Sequence, residues 1–451
     1  MSDPHRLSHA QEALWFLHKL APASAAHNTA IAVGVRSVLD ITQLRIAVGE
    51  LGKRHDMLRS TFTETDGRPV RLVDDNVLVR LEMRSARGAT DDGMAEVVRE
   101  ALRTPFALDT AGAFRVVLVR RTGQDAVLMV AGHHIATDAT TAWLVMRDLL
   151  QIYCQLRVGD GPRLPPLAGT YDDYVAKEAE FLASPRGEAA AAYWTQLCAG
   201  AAPAALPTDR PRGTAPSFTG STRHVLVPAE VVARLMDTAR RTSVTPFAFL
   251  LAAFQATLNR NTRQRDFLVG CPTTARLSSK ARDVVGNFVN TLVFRAGIGP
   301  ATTFRDAALA VNEQVKSGIS GLRYPFPLLA RRTGQCRITF NLLATTHLDN
   351  VLQPLLDHTR PDQLTSYGDM LLTPYRLSQQ EGQLDLTVDV VQSRDSLSVD
   401  FRYDTALFDA ETIDRLAAHF VRAVEISVTA PDTRIVTARL WDVRGKEQAG
   451  V

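Results

Sequence analysis

Two rhythms of apolar residues alternate along this chain. Near the N-terminus Ala10, Leu14 and Leu17, with Trp15, recur at helical spacing behind Ser8, a side chain suited to cap a helix. Ile31–Val38 predicts a strand and Ile41–Arg54 an amphipathic helix. Val70–Val73 and Val77–Met83, rich in β-formers, predict strands, and Asp92–Arg103 predicts a helix. Phe114–Arg120 and Ala126–Ala131 are apolar enough to be buried strands, and a helix is predicted over about Thr140–Leu156. Gly200–Pro216, built of Ala, Pro, Gly and Thr without periodicity, predicts a connector. The alternation then resumes. Strands are predicted at His224–Val227, Asp266–Gly270, Thr291–Arg295, Ile338–Leu343, Leu384–Val391 and Leu397–Tyr403, and helices at Val231–Thr242, Pro246–Asn259, Thr303–Ser317 and Thr412–Ile426. The pattern predicts two α/β halves of similar size, with mixed or antiparallel sheets, rather than a bundle or a barrel.

Composition narrows the function. The chain has 451 residues, enough for two or three units at about 100–200 residues each, so no metal or disulfide is needed to hold the fold. Net charge is +3, from 51 basic and 48 acidic residues, which argues against nucleic acid as a partner. Short basic clusters such as Arg331-Arg332 read as solvated faces. Cys154, Cys198, Cys271 and Cys336 are far apart and form no CxxC pair, as expected of free thiols in a reducing cytoplasm. The start MSDPHRLSHAQEALWFL lacks the form of a secretory signal, and no charge-free run of about 18 apolar residues predicts a membrane span.

The usual catalytic signatures are missing. The sequence holds no GxxxxGK[ST] phosphate loop, no HExxH zinc helix and no GxSxG elbow. What it holds is the apolar run Leu128-Met129-Val130-Ala131-Gly132 delivering His133-His134-Ile135-Ala136-Thr137-Asp138-Ala139 into a helix. Side chains alternate along a strand, so the two histidines are expected to point to opposite faces, one into the core and one toward a cavity. That geometry hinders joint ligation of one metal, and no further ligands stand at suitable spacing. A lone strand-end histidine is usually structural, and Asp138 before a helix is ordinarily an N-cap. The string as a whole says more than either residue.

His133-His134-x-x-x-Asp138 resembles the HHxxxDG signature of nonribosomal peptide synthetase condensation domains and related acyltransferases. Other segments resemble further motifs of that family, in order: Ser8-His9-Ala10-Gln11 with Leu14-Trp15; Arg54-His55-Asp56-Met57-Leu58-Arg59-Ser60-Thr61-Phe62; Tyr171-Asp172-Asp173-Tyr174; Gly286-Asn287-Phe288-Val289-Asn290-Thr291-Leu292; and Tyr403-Asp404 with Leu407-Phe408-Asp409. The similarity spans about Ser8 to Phe420.

The resemblance implies a fold of two chloramphenicol-acetyltransferase-like lobes, residues 1–176 with the histidine motif and 177–451, forming a V-shaped pseudo-dimer around a central tunnel, with a monomer as the natural state. It implies joining of an acyl or aminoacyl thioester, carried on the phosphopantetheine of a carrier protein, to an amine or hydroxyl, giving an amide or ester. The chain itself would bind no cofactor, and a small-molecule amine or alcohol could serve as acceptor. His134 maps to the histidine facing the reaction centre. His133 is implied to be structural, and Asp138 to hold the loop through an ion pair with Arg276. Ala139, Asn290 and Thr291 map to tunnel-lining positions. Imidazole titrates near neutrality, so His134 could accept the nucleophile's proton, or could orient it or stabilise developing charge.

The sequence departs from the pattern at Ala139, where the family has glycine, and at His9 and Glu12 in the first helix. Ala139 reads either as a tolerated helix start or as an altered acceptor channel. Neither an adenylation domain nor a serine-bearing carrier module is read in the chain, which is expected to be either a free-standing domain, the favoured reading, or a piece of a longer assembly line. The polar tail from Thr437, with Trp441 as an apolar handle, reads as a frayed end or a docking segment. Three other functions stay open. A polyketide-associated or coenzyme A-dependent acyltransferase shares the histidine signature. An epimerisation domain would carry a further acidic motif with no counterpart here. A non-catalytic recruitment domain generally loses the second histidine.

Overall fold

The computed structural model describes residues 3–74, 79–213, 217–344, 352–379, 382–393 and 396–440. The chain divides into two compact units that are not contiguous in sequence. The first comprises residues 1–181, 274–289 and 346–380, and the second 182–273, 290–345 and 381–451.

A six-stranded sheet forms the centre of the first unit, in the order Thr365–Tyr367, Met370–Tyr375, Asn28–Val35, Ala126–His133, Phe114–Arg120, Leu81–Ser85. Neighbours are antiparallel except the last pair, which is parallel. Ala126–His133 is wholly buried and paired along both edges, which is why its apolar run shows no alternation. The helices Ile41–Arg54, Asp91–Arg103 and Ala139–Arg157 pack on this sheet or on one another. A small antiparallel sheet, His5–Arg6, Arg68–Val73 and Ser60–Thr65, completes the unit.

The second unit is built on a seven-stranded mixed sheet. Its path runs Val289–Gly297, Asp266–Thr274, Ile338–Ala344, Leu386–Gln392, Leu397–Asp404, Gly220–Val227, and Ala202–Pro203 also pairs with Asp266–Thr274. The helix Pro246–Thr262 is buried nearly all round, and Phe254 stacks on Phe340 within a cluster that includes Phe401 and Phe420. Each unit therefore has its own apolar core.

Most predicted elements stand within two or three residues of their expected bounds. The boundary expected between residues 176 and 177 is replaced by an interleaved path. Met370–Tyr375 adds to the first sheet beside Asn28–Val35, and Phe288 is tied to the loop before helix Ala139–Arg157, so both excursions return to the first unit. Helices Tyr171–Leu182 and Pro185–Cys198 were not among the predicted elements; Ser184 caps the second, with a proline in its first turn. The predicted strand Val77–Met83 falls partly on residues 75–78, outside the described residues, and the observed strand is Leu81–Ser85. The Gly200–Pro216 connector contains the short strand Ala202–Pro203, and residues 214–216 lie outside the described set, as does Trp441.

Candidate active site

Four hydrogen bonds fix the turn that follows the central strand. His133 N–H donates to Ala113 O at 2.8 Å and His134 N–H to His27 O at 2.7 Å. The backbone of Ile135 is held on both sides of its Cα. Its N–H donates to His133 Nδ1 at 3.1 Å, and its carbonyl accepts from Gln11 Nε2 at 2.9 Å. Gly132 makes the reversal possible: a Cβ there would lie 2.8 Å from the Thr137 methyl and 3.0 Å from the Phe114 ring.

The two histidines differ in every respect that matters chemically. His133 is buried, and because its Nδ1 accepts from an amide, its neutral ring carries the proton on Nε2. His134 is only half-buried, and its Nδ1 lies 2.7 Å from Thr137 O. A carbonyl can only accept, so His134 carries its proton on Nδ1 and its lone pair on Nε2.

A small group of imidazoles surrounds this turn. His133 meets His18 edge-on at 5.6 Å and stacks with His27 at 6.0 Å. Burial, helped by the neighbouring rings of His134 and His18, pushes His27 down to about 4. Burial likewise drives His133 well below the ordinary imidazole range and lowers His18. Near neutral pH these three rings are uncharged. Among the described residues no group of three or more His, Cys, Asp or Glu side chains is arranged to hold a metal ion.

Asp138 closes the turn. Its Oδ1 accepts from Thr141 N–H at 2.6 Å, the N-cap bond of helix Ala139–Arg157, and its Oδ2 accepts from Phe288 N–H at 3.0 Å. Arg276 Nη2 lies 3.3 Å from Asp138 Oδ1 and 2.6 Å from Thr141 Oγ1, while Nη1 donates to Ala281 O and Val284 O. The guanidinium lies over the Phe288 ring at 4.0 Å. Both members of the ion pair are buried, so Arg276 serves as a brace between segment 274–289 and the helix start. Thr141 completes it by donating to Gly286 O at 2.6 Å.

The other motifs form supports of the same kind. Tyr171, wholly buried, donates to Asn287 O at 2.7 Å and accepts from the Ser8 hydroxyl at 3.1 Å. Gly286 is where that ring packs, since a Cβ there would lie 2.2 Å from it. His9, one of the residues that depart from the family pattern, lies 2.9 Å from the buried Glu178 through both its backbone N–H and its Nδ1. Arg54, His55 and Arg147 converge on Asp148; burial raises that carboxyl, but the His55 hydrogen bond and the Arg147 charge outweigh it and leave Asp148 below its ordinary value. Arg71, buried, is clasped by Asp56 and Asp172.

Ala139, Asn290 and Thr291 take no part in the bonds just described. Ala139 is exposed and begins the helix, outside the positive-φ region, so the backbone there does not require glycine. Asn290 and Thr291 belong to the second unit. The Asn290 amide donates to Leu322 O and Tyr324 O, both at 2.8 Å, and its Oδ1 accepts from Phe326 N–H and Thr291 N–H. That side chain is engaged in holding a turn. Thr291 is half-buried, its methyl 3.2 Å from where a Cβ on Gly270 would stand. Sequence reasoning named His133, His134, Asp138 and Arg276. It did not single out Gln11, His27, Thr137 or Thr141, although Gln11 and Thr137 fall inside the motif segments.

A family profile described as Condensation domain matches residues 1–449. A linear gramicidin synthase polypeptide of Brevibacillus parabrevis is 31% identical over 440 residues, which cover 96% of this chain and 8% of that protein. Phosphinothricin tripeptide synthetase PhsC of Streptomyces viridochromogenes is 30% identical over 422 residues, 92% of this chain and 38% of that protein. The chain thus spans a minor part of these relatives' length. Among solved structures, the first condensation domain of the calcium-dependent antibiotic synthetase, in complex with a substrate analogue, matches with a TM-score of 0.80 at 23% identity, covering 98% of this chain and 100% of that one. The X-domain in complex with OxyB from teicoplanin biosynthesis matches with a TM-score of 0.83 at 21% identity, covering 98% and 97%. The two α/β units and the histidine turn match the condensation-domain fold. This chain belongs to the condensation-domain family of nonribosomal peptide synthetases.

Proposed function

We propose that this domain joins a carrier-protein-bound acyl or aminoacyl thioester to an amine or hydroxyl nucleophile, with His134 as the group that handles the nucleophile's proton. The observation that carries this reading is the ring state of His134. Nδ1–H is committed to Thr137 O, so the neutral ring offers its lone pair at Nε2. For an amine acceptor, the nitrogen attacks the thioester carbonyl and loses a proton to Nε2. The C–N bond forms, the C–S bond breaks, and the proton passes to the departing sulfur. The Nδ1–H bond to Thr137 O strengthens as the ring becomes imidazolium, which stabilises the charge that develops.

In this reading His133 sets the turn, and Asp138 with Arg276 holds the helix start, so all three act through structure. A thioester is already activated, and the chain needs no nucleotide or metal for the step. The partners are phosphopantetheine-bearing carrier proteins. Family members work with such carriers, and the choice of donor and acceptor, and of amide or ester, lies with side chains around the reacting groups.

The test is a mass-spectrometric transfer assay. A hexanoyl-loaded carrier protein is mixed with aminoacyl-loaded carrier protein, free amines and alcohols, using wild type and His134→Ala. Transfer that falls by about 10²–10⁴-fold in the variant supports proton handling by His134. A fall of only a few-fold assigns the ring to orientation. Carrier binding without transfer to any acceptor makes the domain a recruitment module instead.

A further inference from the structure

The capping box of the first helix does more than cap. In the box at Thr303 and Asp306, the reciprocal bonds are spent on the helix terminus itself. In the box at Ser8 and Gln11, Gln11 Oε1 accepts the Ser8 amide at 3.2 Å, which leaves Nε2 to donate elsewhere, and it donates to Ile135 O at 2.9 Å. Gln11 is fully buried and reaches 124 positions along the chain to make that bond.

Its target is the carbonyl of Ile135, the residue that follows His134. The N–H of that residue donates to His133 Nδ1, so Gln11 and His133 hold the two peptide groups that flank the Ile135 Cα. If Ile135 lost its hold on either side, the turn could shift at the neighbouring His134 Cα and carry Nδ1 away from Thr137 O, the bond that sets the tautomer. The cap bond fixes the amide's orientation in turn: Oε1 is committed to Ser8 N–H, so Nε2 is the end that faces Ile135 O. Ser8 is itself held by Tyr171, whose hydroxyl donates to Asn287 O one residue before the amide bound by Asp138. The helix terminus, the histidine turn and segment 274–289 are thus joined in one buried chain of hydrogen bonds within the first unit.

We infer that Gln11 is a positioning residue for the transfer reaction, acting through the Ile135 carbonyl to hold the turn that keeps His134 in the tautomer that presents Nε2. The inference rests on the reading of His134 given above. Its test has one readout that depends on activity and one that does not.

The variant is Gln11→Met, similar in length but unable to donate; if that protein does not fold, Gln11→Ala takes its place. Thr303→Ala, which removes the other capping box, is the structural control. Folding is followed by circular dichroism and thermal unfolding. With the hexanoyl-loaded carrier and an accepted amine, kcat is expected to fall about tenfold to a hundredfold in the Gln11 variant, with KM within about twofold. Thr303→Ala is expected to lose thermal stability but keep kcat. In parallel, NMR of protein labelled in the histidine rings, with His134 assigned by its loss in His134→Ala, reports the tautomer directly. Wild type is expected to show Nδ1–H, and the Gln11 variant a mixture. An Nε2–H ring in the wild type, or an unchanged spectrum and unchanged kcat in a folded Gln11 variant, overturns the inference. A His134→Ala protein as active as wild type would sink the catalytic reading while leaving the tautomer result to stand by itself.

Discussion

The seven-residue motif Gly286–Leu292 contains two stretches that share a sequence signature and do different work. Gly286, Asn287 and Phe288 belong to the first unit, where their backbone groups meet Thr141, Tyr171 and Asp138. Two residues on, Asn290 belongs to the second unit, and its side chain holds the turn at 322–326. The first stretch acts through main-chain atoms, two carbonyls on hydroxyls and one amide on a buried charge. The second acts through a neutral amide on neutral carbonyls. A motif therefore need not be a single site, and the energetic consequences of breaking its halves should differ in kind.

The largest effect is expected at the charged node. Asp138→Ala leaves the buried Arg276 guanidinium and Phe288 N–H without their carboxylate, which should cost about 3–5 kcal/mol. Urea unfolding measures it, and the double variant Asp138→Ala/Arg276→Met should regain part of the loss. No recovery in the double variant would mean that the cap and the Phe288 bond, rather than the ion pair, dominate the node.

Acid should weaken the first unit next. His27 has a folded value of about 4 against 6.5 for an ordinary imidazole, so between those values the unfolded chain binds the extra proton and the folded one does not. The contribution of His27 is present above about pH 6.5 and is lost as pH falls toward 4, about 3 kcal/mol in all. His133 is depressed in the same direction and adds to the slope. Unfolding free energies measured from pH 7 to pH 4.5 should fall steadily, and His27→Gln should flatten part of that fall. A slope untouched by His27→Gln would place the acid sensitivity elsewhere.

A smaller effect is expected in the second stretch. Asn290→Ala removes the partners of two carbonyls and an amide, worth about 1–3 kcal/mol of stability. Transfer per folded molecule should be unchanged. Loss of activity without loss of stability would return Asn290 to the reaction centre. Smallest of all, Ala139→Gly should cost under about 1 kcal/mol, because this exposed helix-start position tolerates either residue. The same acceptors should react in the assay. A new acceptor preference would show that the methyl group shapes the channel.

Much of this arrangement could be read along the chain. The unbroken apolar run before His133 announced a buried strand, and Ser8 and Asp138 announced helix starts, because such signals arise from neighbouring residues. The strand Met370–Tyr375 was not legible. Its position beside Asn28–Val35 depends on a partner more than 300 residues away, and the register that makes it part of the first sheet is a property of the pair. Gln11 was visible only as a letter in a motif. Its bond to Ile135 exists because the first helix and the histidine turn come together in space.

The sequence by itself determined the alternation of strands and helices, the burial of the strand that delivers the histidines, and the family, since each follows from local periodicity or from short ordered motifs. Tertiary structure alone decided the interleaving of the two units, the tautomers of the two histidines, and the closing of the Asp138–Arg276 brace. Those depend on which donors and acceptors are buried together, and burial is settled only when segments far apart in the chain pack against one another.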